Sequence, residues 1–253
     1  MDLTSLSIGQ YTFVQNSFSF GLAVMAAATL FLWFSRSNVA PAYRMAVTIS
    51  GLVTAIAAYH YLQIMLSWQA AFSVSGDTLS VTGSPFNQAY RYVDWLLTVP
   101  LLLIELILVM RLSRSETVSK SVWLGGAAAL MIILGYPGEV AESAGTRLTF
   151  WVLSMIPFIY IVYQLVVGLN NSISSQPENV RGLIKGATWL VVISWLFYPV
   201  VFLFPLIGLT GGAAITALEV GYTIADIVAK AVFGLLILAI AIRKSQSESG
   251  SEA

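Results

Sequence analysis

Seven long apolar stretches, separated by short polar connections, run along the chain. A membrane-spanning α-helix needs about 20 predominantly apolar residues, and each stretch is long enough. We predict spans at residues 11–34, 43–68, 87–110, 121–140, 147–169, 184–207 and 214–242. The pattern indicates an all-α membrane protein, a seven-transmembrane-helix bundle in a single domain at residues 1–243. The Ser- and Glu-rich residues 244–253 predict a disordered cytoplasmic tail.

Composition agrees with a chain whose solvent is the lipid bilayer. Apolar residues make up 58% and charged residues 9% of the sequence, whereas a soluble domain carries roughly 25% charged residues. The chain has no cysteine, which excludes disulfides and thiolate metal sites, and its single histidine excludes a multi-histidine metal site. A net charge of zero makes nucleic acid an unexpected partner.

The positive residues are distributed unequally between the two sides of the predicted bundle. Two of the twelve Lys and Arg residues, Arg91 and Arg147, flank one side, and Lys230 lies inside the last span. The other nine flank the opposite side: Arg36, Arg44, Arg111, Arg114, Lys120, Arg181, Lys185, Arg243 and Lys244. Cytoplasmic connections carry the excess of Lys and Arg in membrane proteins. We therefore predict an N-terminus outside and a C-terminus in the cytoplasm.

The longest predicted outer connection, residues 70–86, contains a short alternating pattern. Residues 72–81 alternate between apolar and polar side chains around Gly76 and Asp77. This pattern predicts a small extracellular β-hairpin between the second and third spans. An irregular loop is the alternative.

Five intramembrane ionisable residues stand out in the predicted spans: His60, Asp94, Glu105, Asp226 and Lys230. Such residues are costly in a bilayer, so each one is a functional candidate. Asp226 precedes Lys230 by four residues and shares its helical face. One interpretation is a structural ion pair between helices. The other is a lysine that forms a Schiff base with a carbonyl cofactor, with Asp226 as the counterion.

Two carboxyls lie in line on the predicted third span. Asp94 and Thr98 are one turn apart, and Glu105 follows Asp94 by eleven residues, close to three full turns and ~16 Å along the axis. In wholly apolar surroundings we expect Glu105 to hold its proton at neutral pH. A neutral carboxyl can donate a proton, and an ionised one that faces a cation can accept it. The alternative is two unrelated packing carboxyls.

Four motifs resemble those of the microbial (type 1) rhodopsins. They are Arg91–Pro100 in the third span, Gly135–Glu139 at the end of the fourth, Trp195–Phe202 in the sixth and Asp226–Lys230 in the last. Their order and placement extend the resemblance over essentially the whole chain. Within this family the chain looks most similar to bacterial proton pumps of the proteorhodopsin and Gloeobacter-rhodopsin kind.

This resemblance implies a light-driven outward proton pump in the bacterial inner membrane, an ion transporter and not an enzyme. It implies all-trans retinal bound covalently to Lys230 as a protonated Schiff base, and a homo-oligomer, either pentamer or trimer. A sensory photoreceptor rhodopsin is the alternative, but a sensor gains little from a donor carboxyl such as Glu105. A secondary transporter with no chromophore is a third possible class.

The resemblance also implies roles for the buried polar residues. Asp94 would be the primary proton acceptor, Asp226 the second counterion and Glu105 the cytoplasmic proton donor. Thr98 would form a hydrogen bond near Asp94, and Arg91 would sit just outside the counterions.

His60 would pair with Asp94, although a lone buried histidine is more often a packing residue. We interpret Glu139, Glu142 and Glu219, near the outer surface, as solvated carboxylates, with a place in a proton-release group as the alternative.

The walls of the retinal site follow from the same resemblance. The residues expected to flank the polyene are Trp95, Leu102, Met131, Gly135, Trp151, Trp195, Tyr198, Pro199 and Phe202. Without the lysine, an aromatic stripe such as that of the sixth span would be ordinary core. Leu102 matches the position where leucine accompanies green absorption and glutamine blue absorption. Trp151 matches the glycine through which some relatives admit a carotenoid antenna, so we expect no antenna and retinal as the only chromophore.

Overall fold

The protein, described here from a computed structural model covering residues 3–250, is a bundle of membrane-length helices. Within that range seven helical segments are long and apolar enough to cross a membrane, which confirms the predicted bundle. The first helices of the seven spans are Ile8–Ser35, Arg44–Ala71, Ala89–Met110, Arg114–Glu139, Ala144–Tyr163, Glu178–Phe202 and Gly212–Asp226. The fifth span continues through a π-helical turn, Gln164–Gly168, into Asn170–Ser174. The seventh continues through a π-helical turn, Ile227–Val232, into Phe233–Gly250.

Several spans begin or end away from their predicted limits. The fourth span begins at Arg114 and not at residue 121, because the Ser113 hydroxyl accepts the Glu116 amide at 3.3 Å and caps the helix. Because the residues of this first turn are polar, the sequence pattern assigns them to the connection before the span. The sixth span also begins earlier than predicted, at Glu178 and not at residue 184. Its helix ends at Phe202 and is followed by a short 3-10 turn, Phe204–Ile207.

The predicted hairpin is present between the second and third spans. Strand Phe72–Ser75 pairs antiparallel with Thr78–Val81. Gly76, in the connecting turn, has a φ of 57°, which a residue without a Cβ adopts at little cost. The hairpin prediction is therefore confirmed.

The third and seventh spans form the centre of the bundle. In each, 61% of the most apolar stretch is buried, compared with 22% in the fourth span. The π-helical turn of the seventh span contains Lys230. Such turns interrupt regular helices mainly at functional sites. The two most buried spans thus bring Asp94, Asp226 and Lys230 together inside the bundle and bury Glu105 farther along the third span.

The last helix continues into the region predicted as a tail. In the structure, residues from Lys244 to Gly250 belong to the helix that begins at Phe233. Residues 251–253 lie outside the described residues. The helix continues because Lys244, instead of facing solvent, is buried and hydrogen-bonded to the end of the third span.

Candidate functional site

The Lys230 ammonium lies between two carboxylates at the centre of the bundle. The residue is 2% exposed, and its Nζ donates a hydrogen bond to Asp94 Oδ2. The same nitrogen is 3.2 Å from Asp226 Oδ1. Asp226 is four residues away on the same span, whereas Asp94 comes from the third span. The structure therefore places both predicted counterions in contact with the lysine.

The two carboxylates differ in how their oxygens are satisfied. Asp226 accepts hydrogen bonds from the hydroxyl of Tyr61 at 3.0 Å, the indole of Trp95 at 3.3 Å and the hydroxyl of Tyr198 at 2.6 Å. Asp94 Oδ1 is buried and has no hydrogen-bond partner within residues 3–250. Three donors stabilise Asp226 as an anion, because hydrogen bonds to the charged form favour that form. Asp94 keeps one oxygen free to take a proton.

His60 and Thr98 both lie beside Asp94, but neither donates a hydrogen bond to its carboxylate. His60 Nδ1 is 3.7 Å from Asp94 Oδ1 and 2.9 Å from the carbonyl oxygen of Ile56. A carbonyl oxygen only accepts, so this Nδ1 carries hydrogen directed at Ile56. The Thr98 hydroxyl donates to the main-chain carbonyl of Asp94 at 2.8 Å. His60 is therefore close enough for an electrostatic effect, and Thr98 fixes the backbone that carries Asp94.

Arg91 and Glu219 form a buried ion pair beyond the counterions. Arg91 Nη2 donates to Glu219 Oε2, and both side chains are almost completely buried. Gln88 bridges them, accepting from Arg91 Nε at 3.2 Å and donating to Glu219 Oε1 at 2.8 Å. Arg91 thus lies just outside the counterions, where it was predicted.

The interpretation of Glu219 as a solvated carboxylate is wrong, because it is 0% exposed. A signal was available: Glu219 precedes Lys230 by eleven residues, close to three turns, and so faces the same interior. Glu139 is largely buried as well, with an oxygen 3.3 Å from Arg147 Nη2. Glu142 is exposed, in agreement with its interpretation as a solvated group.

Glu105 stands apart from these groups. It is 0% exposed, and neither carboxyl oxygen has a hydrogen-bond partner among the described residues. An ionised carboxylate without a partner is very costly to bury, so the neutral acid suits this position. The third span places it three turns beyond Asp94, as the sequence predicts.

An elongated apolar cavity extends from Lys230 between the third, fourth, fifth, sixth and seventh spans. Its empty space is about 790 Å³, including the part that opens to the surface, which is within the usual range of ligand pockets. All ten predicted cofactor-binding residues line it: Lys230, Trp95, Leu102, Met131, Gly135, Trp151, Trp195, Tyr198, Pro199 and Phe202. Among the others, Ser154, Met155 and Phe158 follow Trp151 at helical spacing, a signal that could have identified them.

The cavity fits a long conjugated aldehyde bound to Lys230. Its walls are mostly aromatic and aliphatic, its only amine is at one end, and two carboxylates lie beside that amine. Elsewhere in the cavity wall the Trp151 indole donates to the Pro199 carbonyl at 3.0 Å. This carbonyl lies in the last turn of its helix, where carbonyls lack regular helical partners, so the bond fixes Trp151 across two spans.

A buried amine between carboxylates, at the end of an apolar cavity inside seven membrane helices, is the site of a retinal protein. Comparison with known proteins supports this class. The family model of bacteriorhodopsin-like proteins matches residues 12–244. The chain belongs to this family, the microbial (type 1) rhodopsins, and is a multi-pass protein of the bacterial plasma membrane.

Relatives and solved structures resemble it over nearly their full lengths. The green-light absorbing proteorhodopsin of Gamma-proteobacterium EBAC31A08 is 30% identical over 243 residues, covering 96% of this chain and 91% of the relative. Xanthorhodopsin, described as a light-driven ion pump with dual chromophore, is 48% identical with a TM-score of 0.92, covering 96% of this chain and 98% of that one. Thermophilic rhodopsin is 43% identical with a TM-score of 0.93 and the same coverage.

Proposed function

We propose that this protein is a light-driven outward proton pump with all-trans retinal bound to Lys230. The observation that carries the proposal is the arrangement of two unlike carboxyls on the third span. Asp94 contacts the lysine nitrogen, and its other oxygen has no hydrogen-bond partner among residues 3–250. Glu105 is fully buried and has no hydrogen-bond partner in the same range. When bound, retinal supplies light absorption and a change of shape within the cavity.

The first transfer uses the contact between Lys230 and Asp94. The proton on the lysine nitrogen passes to the Asp94 carboxylate, leaving a neutral nitrogen and a neutral acid. Asp226, held by three donors, stays ionised and keeps its position. Asp94 Oδ1 has no hydrogen-bond partner among the described residues, whereas Asp226 accepts from three donors, and this difference favours Asp94 as the acceptor.

The second transfer returns a proton from Glu105 to the Lys230 nitrogen. Glu105 then regains a proton from the side of the bundle that carries most of the Lys and Arg residues. We place this side in the cytoplasm by the positive-inside rule, with the N-terminus and the Arg91–Glu219 pair towards the outside. Asp94 then releases its proton towards the side of the Arg91–Glu219 pair, which restores the starting carboxylate, so the net result of the cycle is one proton moved outward. Assembly into trimers or pentamers stays a prediction.

The description of xanthorhodopsin as a light-driven ion pump supports the pumping part of this proposal. A sensory photoreceptor remains the second candidate, and it needs the same cavity and lysine. Glu105 favours the pump, because a sensor has no need to reprotonate the lysine nitrogen quickly from one side.

The test is light-driven acidification by cells that express the chain with added retinal. We expect coloured cells that acidify an unbuffered medium under light, and a protonophore should abolish the signal. Lys230→Ala cells are the matched control and should show neither colour nor acidification. Colour without acidification would support the sensor, and absence of colour would support a transporter without a chromophore.

A further inference from the structure

A buried ammonium group lies at the end of the bundle that we place in the cytoplasm. Lys244 is only 5% exposed. Its Nζ donates to the main-chain carbonyls of Val109 at 3.0 Å and Met110 at 3.1 Å, and to Gln176 Oε1 at 2.7 Å. An ammonium group has three N–H donors, so these bonds use all of them.

These contacts join separate elements. Val109 and Met110 are the last residues of the third helix, where carbonyls have no intrahelical partner and the helix dipole favours a cation. Gln176 belongs to the connection between the fifth and sixth spans. The ammonium also lies 5.3 Å from the ring centre of Tyr43, just before the second helix. Lys244 thus links the seventh span to three other parts of the bundle.

The contacts of Lys244 with the third helix lie close to Glu105. Val109 follows Glu105 by four residues, about 6 Å along the helix axis. Glu105 is 0% exposed and both of its oxygens are buried, so it is closed off from the cytoplasm in this structure. A proton that recharges Glu105 from this side has to pass the segments that Lys244 joins by hydrogen bonds, and the positive charge of its ammonium group opposes the entry of a proton.

We propose that Lys244 is a positioning residue for proton uptake, which keeps the cytoplasmic entrance above Glu105 closed until its hydrogen bonds are released. Release frees the carbonyls of Val109 and Met110 to bind water one turn from Glu105, and water can then carry a proton to the carboxyl. This inference rests on the proposed pumping function and adds the control of its uptake step.

The test replaces Lys244 with methionine, which keeps an unbranched apolar side chain and removes the three donors. In flash-induced absorption measurements, we expect recharging of Glu105 to become about 2- to 30-fold faster, the range that corresponds to removing one member of a coupled network. The first transfer, from Lys230 to Asp94, should keep its rate. A purely structural cap would leave the recharging rate unchanged, or slow both steps together.

Gln176→Leu provides a second, milder variant, because it removes one of the three acceptors. It should also accelerate recharging. The double variant should recharge no faster than Lys244→Met alone, because both changes remove the hydrogen bond between Lys244 and Gln176. Lys185→Met is the matched control: it removes one exposed positive charge from the same side and should leave both steps unchanged.

Unchanged or slower recharging in coloured Lys244→Met protein would overturn the proposal. If that variant gives no pigment, unchanged recharging in Gln176→Leu would overturn it equally. Deuterium exchange of the amides at residues 105–111 in the dark provides a readout independent of pumping, and it should be faster in both variants than in wild type. A wild type that never acidifies the medium would refute the pump, whereas unchanged amide exchange would refute only the role of Lys244.

Discussion

Replacing Trp151 with glycine should open a binding site for a second pigment that the wild-type protein excludes. The Trp151 indole lines the cavity and donates a hydrogen bond to the Pro199 carbonyl at 3.0 Å. The indole is therefore fixed in the cavity wall. Xanthorhodopsin, 48% identical, is described as having a dual chromophore. We propose that this chain binds retinal alone, because its indole occupies the space a carotenoid ring would need.

The magnitude follows from what the indole contributes. Truncating a well-buried tryptophan costs about 3–5 kcal/mol, and a hydrogen bond contributes about 1 kcal/mol. Trp151 is partly exposed, so displacing it should cost about 2–4 kcal/mol. A carotenoid that has to displace the indole should then bind the wild type about 30- to 900-fold more weakly than the glycine variant.

The assay is the excitation spectrum of retinal fluorescence after purified protein is incubated with a hydroxylated or keto-carotenoid. We expect carotenoid-shaped bands in Trp151→Gly and none in the wild type. Trp151→Phe keeps most of the ring volume and should also show none. Trp189→Gly is the control for any loss of an exposed membrane-facing indole, since Trp189 is 50% exposed and does not line the retinal cavity. Carotenoid bands in the wild-type spectrum would refute the steric argument.

Further predictions concern the chromophore and the two transfers. Lys230→Ala should abolish the visible absorption band. Normal absorption in that variant would show that retinal is not bound to Lys230. With Leu102 in the cavity wall we expect green absorption at neutral pH, and Leu102→Gln should shift the band to the blue. Acid should shift the wild-type band to the red as Asp94 takes up a proton, and Asp94→Asn should show that shift already at neutral pH and stop pumping. Glu105→Gln should leave the colour and the first transfer intact, but it should slow the return of a proton to the Lys230 nitrogen and make that step depend on bulk pH. An unchanged rate of this return would show that Glu105 is not the proton donor.

The central residues could be predicted from the sequence because the membrane makes them conspicuous. A charged side chain in lipid is costly, so Lys230, Asp94 and Glu105 stood out from an apolar background. Helical periodicity then placed Asp94 and Glu105 on one line of the third span, where the structure has them. The alternation of apolar and polar residues around Gly76 predicted the hairpin, because the two strands are neighbours in sequence and pair across a short turn.

Contacts near the helix ends could not be predicted in the same way. Glu219 and Lys244 lie close to the predicted span limits, where a polar residue is as compatible with water as with burial. Whether each is buried depends on its partner, Arg91 for the first and the carbonyls of Val109 and Met110 for the second. Such partners are brought together by tertiary packing, which the periodicity of a single helix does not reveal.

Time-resolved infrared difference spectroscopy tests the proposed proton path most directly, because it follows the carboxyl groups of Asp94 and Glu105 separately. The account predicts a new protonated-carboxyl band that rises as the Lys230 nitrogen loses its proton and that is missing in Asp94→Asn. It predicts next the loss of a protonated-carboxyl band as that nitrogen regains a proton, and this loss should be missing in Glu105→Gln. Deprotonation of the Lys230 nitrogen without the Asp94 band, or an ionised Glu105 already in the dark, would contradict it.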